Sequence, residues 1–445
     1  MNGSDSEKWR EAINAEYKSL ADNETWSLIE RCNLPRGTKV LTGKLILKTK
    51  RDKDGKILKY KARWVVRGFE QEYGRDFTQT YAGVCRNTSW KIAIALATKF
   101  DLEIGQMDAV TAFLNSNADD DIYVEIPPGW REPGIKSTHS FVCKLHRALY
   151  GLKQAPRLWQ KYLRKCLSEV GLEPLASGNC IYLQKKTGIL VVTYVDDFLI
   201  LGRSVKMINC LKKDLANKFQ LEDLGQASYF LGVRITRERS LKRLYLTQDA
   251  YTCQILEKFD LHNCRSVDTP MAAGFDVFMV PYDGTASIKE IKEYQSKIGS
   301  LQYLAIHTRP DIAFACSALS RYLINPSPQR MKGVNRIFRY LKGTVNLGIM
   351  YDGNHPNQDL HGYCDSDWGG DKGTRRSTGG SVFFIAGGVI SASSKSQPNV
   401  SLSSTEAEYY AFTSCIQELL WIQQLMSHMQ YTGKDILTTH IFSDN

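Results

Sequence analysis

Residues 188–201 read GILVVTYVDDFLIL, an apolar run broken by two adjacent carboxylates, Asp196 and Asp197. Burying ionised carboxylates without partners is costly, so such a pair sits at a turn or binds metal. A third acid, Asp108 in IGQMDAVTAFLN, stands where an apolar strand gives way to a helix-like run. Taken singly, Asp-Asp is a plain turn between core strands, and Asp108 is an acidic helix cap. Taken together, the three could hold two divalent cations about 3.5–4 Å apart, an arrangement that activates a hydroxyl and neutralises a departing diphosphate. Carboxylate and water ligands suit Mg²⁺, with Mn²⁺ as a substitute.

The elements that must position these acids follow from periodicity. Residues 8–30 read as a helix, with Trp9, Ile13, Tyr17 and Leu20 at helical spacing. A helix near 88–99, a strand near 103–107 and a helix beginning about Ala109 come next. Residues 156–170 are helical, Ile181–Leu183 and Gly188–Leu201 are strands, 205–219 is helical and 229–247 strand-like. From 248 to 345 the chain is mostly helical, broken by a loop at 266–287. Strands resume at Asp359, followed by a long helix over 403–429 and a strand over 436–443.

At 445 residues, roughly 100–200 per domain gives two to four domains. An apolar fraction of 43% and a charged fraction of 24% are those of a globular protein, which excludes a disordered tail or a rod. The chain has no apolar run of about 18 residues, so a membrane span is not expected, and its N-terminus has no secretory pattern. Eleven dispersed cysteines without CxxC pairs read as reduced intracellular thiols.

The net charge of +11 points to a polyanion. Its distribution is sharper: from Arg36 to Arg67 twelve Lys and Arg face only Asp52 and Asp54, a net +10 in 32 residues. The segment reads as a β-hairpin, Lys44–Lys50 and Ile57–Arg67 around the turn residues Asp52 to Gly55. In the second strand Tyr60, Ala62, Trp64 and Val66 share one face, and Lys59, Lys61, Arg63 and Arg67 the other. An edge hairpin guarded by lysines would look similar; Arg among four cations on one face favours phosphate contact.

The ordered series KYKARWVVRGFEQEYGRDF (59–77), QMDAVTAFLN (106–115), LYGLKQAPRLW (149–159), YVDD (194–197), YFLGVRI (229–235), IGSLQYLAIHTRPDI (298–312) and RYLKGT (339–344) resembles the Pol polyprotein of copia-type LTR retrotransposons, from about Lys8 to the C-terminus. The resemblance implies an RNA-directed DNA polymerase (reverse transcriptase) using two-metal nucleotidyl transfer. It implies an α+β right-hand polymerase, with fingers and palm over residues 1–245 and thumb/connection over 246–350. Asp108, Asp196 and Asp197 match the metal-binding triad. Lys50 and Arg63 match fingers residues that hold the triphosphate, and Arg67 a template or fingers contact. Phe113 matches the aromatic gate beneath the sugar, with Ala109 beside the triad. Gly151–Pro156 match the segment beside the templating base pair, with Tyr150 and Lys153 as active-site neighbours. Phe230, Leu231 and Gly232 match the turn that positions the primer end. The partners implied are RNA template, DNA primer and product, dNTPs, a tRNA primer and other Pol products. The implied setting is intracellular and cytoplasmic, within virus-like particles and with nuclear entry, and without a membrane.

HGYCDSDWGG (361–370), SLSSTEAEYYA (401–411) and the closing HIFSDN resemble a retrotransposon RNase H domain, an α/β module over 355–445. Asp365, Glu408 and Asp444 would be its metal-binding acids. Glu406 rivals Glu408, since two residues turn a helix by about 200° and only one can face Asp365. Asp367 reads as a neighbour. The RNase H fold needs further elements after Asp444, so the expected sheet has four of five strands, and polymerase competence is expected over RNase H competence. Two loop positions depart from the family's pattern. Gly83 replaces a proline, which loosens the chain. Ser116 replaces a glycine and would strain a turn that needed positive φ. A truncated, inactive remnant that binds nucleic acid and a host-recruited binding protein are the competing readings.

Overall fold

The computed structural model describes residues 5–51, 57–131, 138–272, 275, 282–429 and 439–443. The N-terminal helix α1 (Ser6–Asp22) is followed by strand β1 (Trp26–Glu30). The helix thus stops short of the span expected from periodicity. Glu24 adopts φ 47°, a left-handed conformation that no helix interior accepts, and Thr25 turns back to donate its hydroxyl to the Leu20 carbonyl. Strand β2 (Val40–Leu41) leads into the basic hairpin, β3 (Gly43–Arg51) and β4 (Ile57–Val66). Its turn at 52–55 lies outside the described residues. Ala62, Trp64 and Val66 are buried while Lys59 is exposed, so the alternation holds.

Helix α2 (Asn87–Lys99) is buried at every residue from Ser89 to Thr98, as a helix apolar all round must be. Strand β5 (Glu103–Ala109) carries Asp108 at its end. No α-helix begins at Ala109. Thr111 takes φ 50°, and Ala112–Asn115 form one 3₁₀ turn. The Asn115 side-chain amide donates to the carbonyls of Val110, Thr111 and Ala112, competing with helix propagation. Ser116 has φ −104° and ψ 142°, ordinary extended backbone, so the strain expected there is absent.

Next come β6 (Tyr123–Val124), β7 (Phe141–Leu145), α3 (Ala155–Glu169), β8 (Glu173–Leu175), β9 (Gly178–Gln184), β10 (Ile189–Tyr194), β11 (Asp197–Gly202), α4 (Val205–Ala216) and β12 (Leu221–Gln226). The apolar hairpin expected over 188–201 is formed by β10 and β11, joined by Val195-Asp196. A six-stranded sheet runs β12-β5-β11-β10-β9-β8. One face packs α3 and α4 through Trp159, Leu163, Leu211 and Leu215. The other packs α2 through Trp90, Ile94 and Ala97. Burial on both faces is why β10 is an unbroken apolar run. The glycine at 83 replaces flexibility with two hydrogen bonds. Its N–H donates to the Gln160 side chain at 3.0 Å, and Gln160 donates back to its carbonyl at 3.1 Å. A proline there has no N–H to give.

Strands β13 (Tyr229–Phe230), β14 (Val233–Glu238) and β15 (Arg243–Thr247) precede helices α5 (Asp249–Lys258), α6 (Ile288–His307), α7 (Ala313–Ser320) and α8 (Pro328–Gly343). These helices share a core of Tyr294, Leu301, Leu319, Ile337 and Phe338. Strand β16 (Ile349–Asp352) returns to pair with β15. The last elements are β17 (His361–Ser366), β18 (Thr378–Ile385), β19 (Gly388–Ser396), α9 (Ser404–His428) and β20 (His440–Phe442). Their four-stranded sheet runs β19-β18-β17-β20, with β20 parallel to β17. Residues 430–438 and Asp444 lie outside the described residues. Helix α9 also touches the six-stranded sheet: Trp421 donates to the Ser177 carbonyl at 3.2 Å and lies under the Arg86 guanidinium at 4.6 Å. Among the described residues no helix is long and apolar enough to cross a membrane, and all eleven cysteines are free thiols.

Candidate active site

Tyr194 and Asp197 close the β10–β11 hairpin as a register pair, leaving Val195-Asp196 as a two-residue turn. Val195 sits at φ 58°. A β-branched residue there is strained by about 1–3 kcal/mol and persists only when its surroundings hold it. Two hydrogen bonds do so. The Trp159 indole N–H donates to the Val195 carbonyl at 2.6 Å, and the Ala109 N–H donates to the Asp196 carbonyl at 2.8 Å. The first comes from α3 and the second from β5, so the turn is fixed from both flanks.

Asp197 pairs in register with Asp108, and Asp108 pairs with Glu222 on β12. Residues directly opposite in antiparallel strands share a face, so three carboxylates form a row at one end of the sheet. Glu222 is invisible to sequence reading because only the β5–β12 register brings it there. The donor set is all oxygen, the chemistry of a hard divalent cation. Among the described residues no three His, Cys, Asp or Glu are gathered closely enough to hold a metal.

The hairpin β3–β4 reaches the same place. The Arg63 guanidinium lies 4.3 Å over the Tyr150 ring, and Tyr150 packs edge-on against Phe113 at 4.9 Å. Burial pushes the Tyr150 hydroxyl up to about 12; Arg63 opposes the rise, and the charges of Asp196, Glu16 and Asp108 add to it. Arg63, Tyr150 and Phe113 thus form one stack, and Phe113 packs on the cluster that also takes Ala109 and Val195, the chain neighbours of Asp108 and Asp196. Glu16 of α1, which sequence reading passed over, accepts from the Trp64 N–H at 3.0 Å and braces β4 beside Arg63. The hairpin's root is pinned where Val66 N–H donates to the Tyr150 carbonyl at 2.8 Å. Gly151, at φ 95°, admits this crossing because a Cβ would lie 2.0 Å from the Val66 oxygen.

The other expected residues are Lys153, Arg67 and Lys50. The Lys153 ammonium donates to the Gln71 carbonyl at 3.0 Å and lies 4.7 Å over Phe77. Arg67 is exposed beyond the end of β4. The Lys50 side chain lies outside what the structure describes, although its strand position is opposite Lys59. Lys48 stands opposite Lys61 in the same way. Like charges directly opposite destabilise a hairpin, so this ladder gains when an anion lies across it.

In the last sheet Asp365 is exposed on β17, and its carboxylate accepts from the Ser366 N–H at 2.7 Å. Glu406 is used at the start of α9, where its carboxylate accepts from the Leu402 N–H at 2.6 Å while Ser403 caps the helix. Glu408 lies on the same helix, which packs on β17 and β18. The Cys364 thiol is lowered by its hydrogen bond with Cys415, and burial, Asp365 and Glu408 all oppose that shift. Asp367 is structural, its carboxylate accepting from the Thr378 N–H.

The sequence model of the family described as reverse transcriptase (RNA-dependent DNA polymerase) matches residues 23–273. The chain is 39% identical over 430 residues to the retrovirus-related Pol polyprotein from transposon TNT 1-94 of Nicotiana tabacum, covering 95% of this chain and 32% of that protein. It is 36% identical to the corresponding polyprotein from transposon RE1 of Arabidopsis thaliana, covering 95% of this chain and 28% of that one. It is 32% identical to a putative transposon Ty5-1 protein of Saccharomyces cerevisiae, over 70% of this chain and all of that protein. The chain thus spans less than a third of the two plant polyproteins it matches.

Proposed function

Because the chain belongs to the reverse transcriptase (RNA-dependent DNA polymerase) family, we propose that it extends a DNA primer on RNA or DNA template from dNTPs, as part of a copia-type retrotransposon Pol polyprotein. Residues 1–245 act as fingers and palm, 246–350 as thumb and connection, and 355–445 as an RNase H-like module. A tRNA primer, other Pol products, virus-like particles and nuclear entry belong to the same reading. One observation carries the polymerase assignment: the stack of Arg63, Tyr150 and Phe113, in which Phe113 packs on the cluster that takes Ala109 and Val195, the chain neighbours of Asp108 and Asp196.

Asp108, Asp196 and Asp197 would hold Mg²⁺ or Mn²⁺, which when bound neutralises the developing charge of nucleotidyl transfer. The chain's own residues do the rest. Arg63, held flat on Tyr150, presents a planar cation to the triphosphate. Tyr150, protonated at neutral pH, keeps a hydroxyl donor in the site. The opposed lysines of β3 and β4 pair with phosphates, so binding weakens steeply with salt. The Phe113 ring, buttressed by Tyr150, closes the space a 2′-hydroxyl would occupy.

Oligo(dT) annealed to poly(rA) is extended with dTTP in the presence of Mg²⁺ or Mn²⁺, and poorly with UTP. The Phe113→Val variant admits UTP roughly 10–100-fold better, the range that one reshaped apolar contact supplies. No extension by the unaltered chain sinks the polymerase reading; unchanged sugar selection in Phe113→Val sinks the gate.

For the C-terminal module, Asp365 on β17 and Glu408 on α9, which packs on β17, are the metal-binding acids of this reading, with Asp444 completing the set. In a calorimetric Mn²⁺ titration, Glu408→Gln removes binding at this module, while Glu406→Gln retains it and loses about 1 kcal/mol of helix capping. Binding kept in Glu408→Gln contradicts the assignment.

A further inference from the structure

The segment IGSLQYLAIHTRPDI (298–312) is among the most distinctive in the chain, yet none of its residues enters the site described so far. In the structure its residues 298–307 form the last turns of α6, and Tyr303 projects from them onto the β13–β14 turn. That turn is strained. Phe230 and Val233 close it in register, and both residues between them are left-handed, Leu231 at φ 51° and Gly232 at φ 74°. This two-residue turn is the one that Asn-Gly adopts readily. A leucine in its first position costs roughly 1–2 kcal/mol.

The Tyr303 hydroxyl donates to the Leu231 carbonyl at 2.8 Å. A Cβ at position 232 would lie 2.4 Å from that hydroxyl, so the glycine leaves room for it. The ring itself is fixed. Tyr251 packs edge-on at 4.8 Å and the His307 imidazole at 4.5 Å. The helix end is fixed too, since buried Lys91 of α2 donates to the Ile306 carbonyl at 2.9 Å. Burial and Tyr251 raise the Tyr303 hydroxyl, Gln248 opposes, and Tyr194 of the catalytic hairpin adds to the rise. Leu231 and Tyr194, the register partner of Asp197, both pack on the core cluster that holds Trp90 and Phe230.

We infer that Tyr303 is a positioning residue, its hydroxyl holding the strained Leu231-Gly232 turn in the one conformation that seats the primer 3′ end beside Tyr194 and Asp197. This rests on the polymerase reading above. The hydroxyl does not touch the reacting atoms; it fixes a carbonyl that would otherwise swing as the turn relaxed.

Tyr303→Phe removes the hydroxyl and keeps the ring. It is tested in the full chain with primers carrying 2-aminopurine at the 3′ terminus or in mid-duplex. The expected result is about a tenfold fall in kcat, the scale of one hydrogen bond, with the KM for dNTP unchanged and a fall in the unfolding midpoint too small to account for the lost rate. Fluorescence changes at the terminal probe alone. Adding Leu231→Asn, which suits the turn unaided, restores most of the loss. Wild-type kcat and terminal fluorescence in Tyr303→Phe overturn the inference, as does a loss tracked by a lower unfolding midpoint. If the wild-type chain binds duplex but does not extend it, the polymerase reading fails separately. The terminal probe then still decides: a difference between the two proteins supports the inference, and identical signals overturn it.

Discussion

Primer extension by the Asp196→Asn chain falls by about 10³-fold or more, while its unfolding midpoint holds or rises. Asparagine has the shape of aspartate, and the turn is held through backbone atoms: the Asp196 carbonyl by Ala109 and the Val195 carbonyl by Trp159. What changes is charge. Asp196 adjoins Asp197, which faces Asp108, which faces Glu222. Removing the negative charge that adjoins this row relieves repulsion in the free protein. It also removes a ligand from a site whose metal would supply several kcal/mol of transition-state stabilisation, about 4 of which correspond to a 10³-fold rate. The check is steady-state extension on poly(rA)·oligo(dT) beside a thermal melt. Extension that survives the substitution removes Asp196 from the metal-binding set. A collapse of the melt would mean that the carboxylate is structural.

The second large effect belongs to Trp159. Its side chain is 2% exposed, packs against Phe219 at 5.5 Å and Tyr162 at 6.1 Å, and gives its only N–H to the Val195 carbonyl. Trp159→Ala costs about 3–5 kcal/mol of stability, the usual price of emptying a large aromatic from a core. Trp159→Phe separates packing from positioning. It retains most of the buried surface but leaves the Val195 carbonyl without its donor, a loss of about 1–3 kcal/mol. The strained turn then relaxes, so extension falls more than stability does. Urea unfolding and extension rates on the two variants make the comparison. A Trp159→Phe chain that extends like the wild type would show that the indole N–H does not set the turn.

The sequence was most legible where chemistry is local. The β10–β11 hairpin, the basic β3–β4 hairpin, α2, α3 and α9 lie close to where periodicity put them. So do the acids on their elements, with Asp444 outside the described residues. The misreadings have local causes that periodicity does not see. Glu24 ends α1 by taking a left-handed conformation, and the Asn115 amide takes the carbonyls a helix after Ala109 would have used. What could not be read at all depends on long-range pairing. Glu222 reaches Asp108 only through the β5–β12 register, and Glu16 reaches Trp64 across 48 residues of sequence. Trp159 reads as one more apolar helix residue until the fold brings Val195 beneath its N–H. The part Glu406 plays at the start of α9, accepting from the Leu402 N–H beside the Ser403 cap, shows only in the fold.

Helix α2 answers to two owners. One side lies under β10 of the six-stranded sheet, and other sides meet β16, β18 and β19. Its alanines, Ala93, Ala95 and Ala97, are fully enclosed. A larger side chain at any of them must push on one sheet or the other, and a compensating change in one leaves the second uncorrected. One enlarged side chain in this helix therefore unsettles the packing of both halves at once.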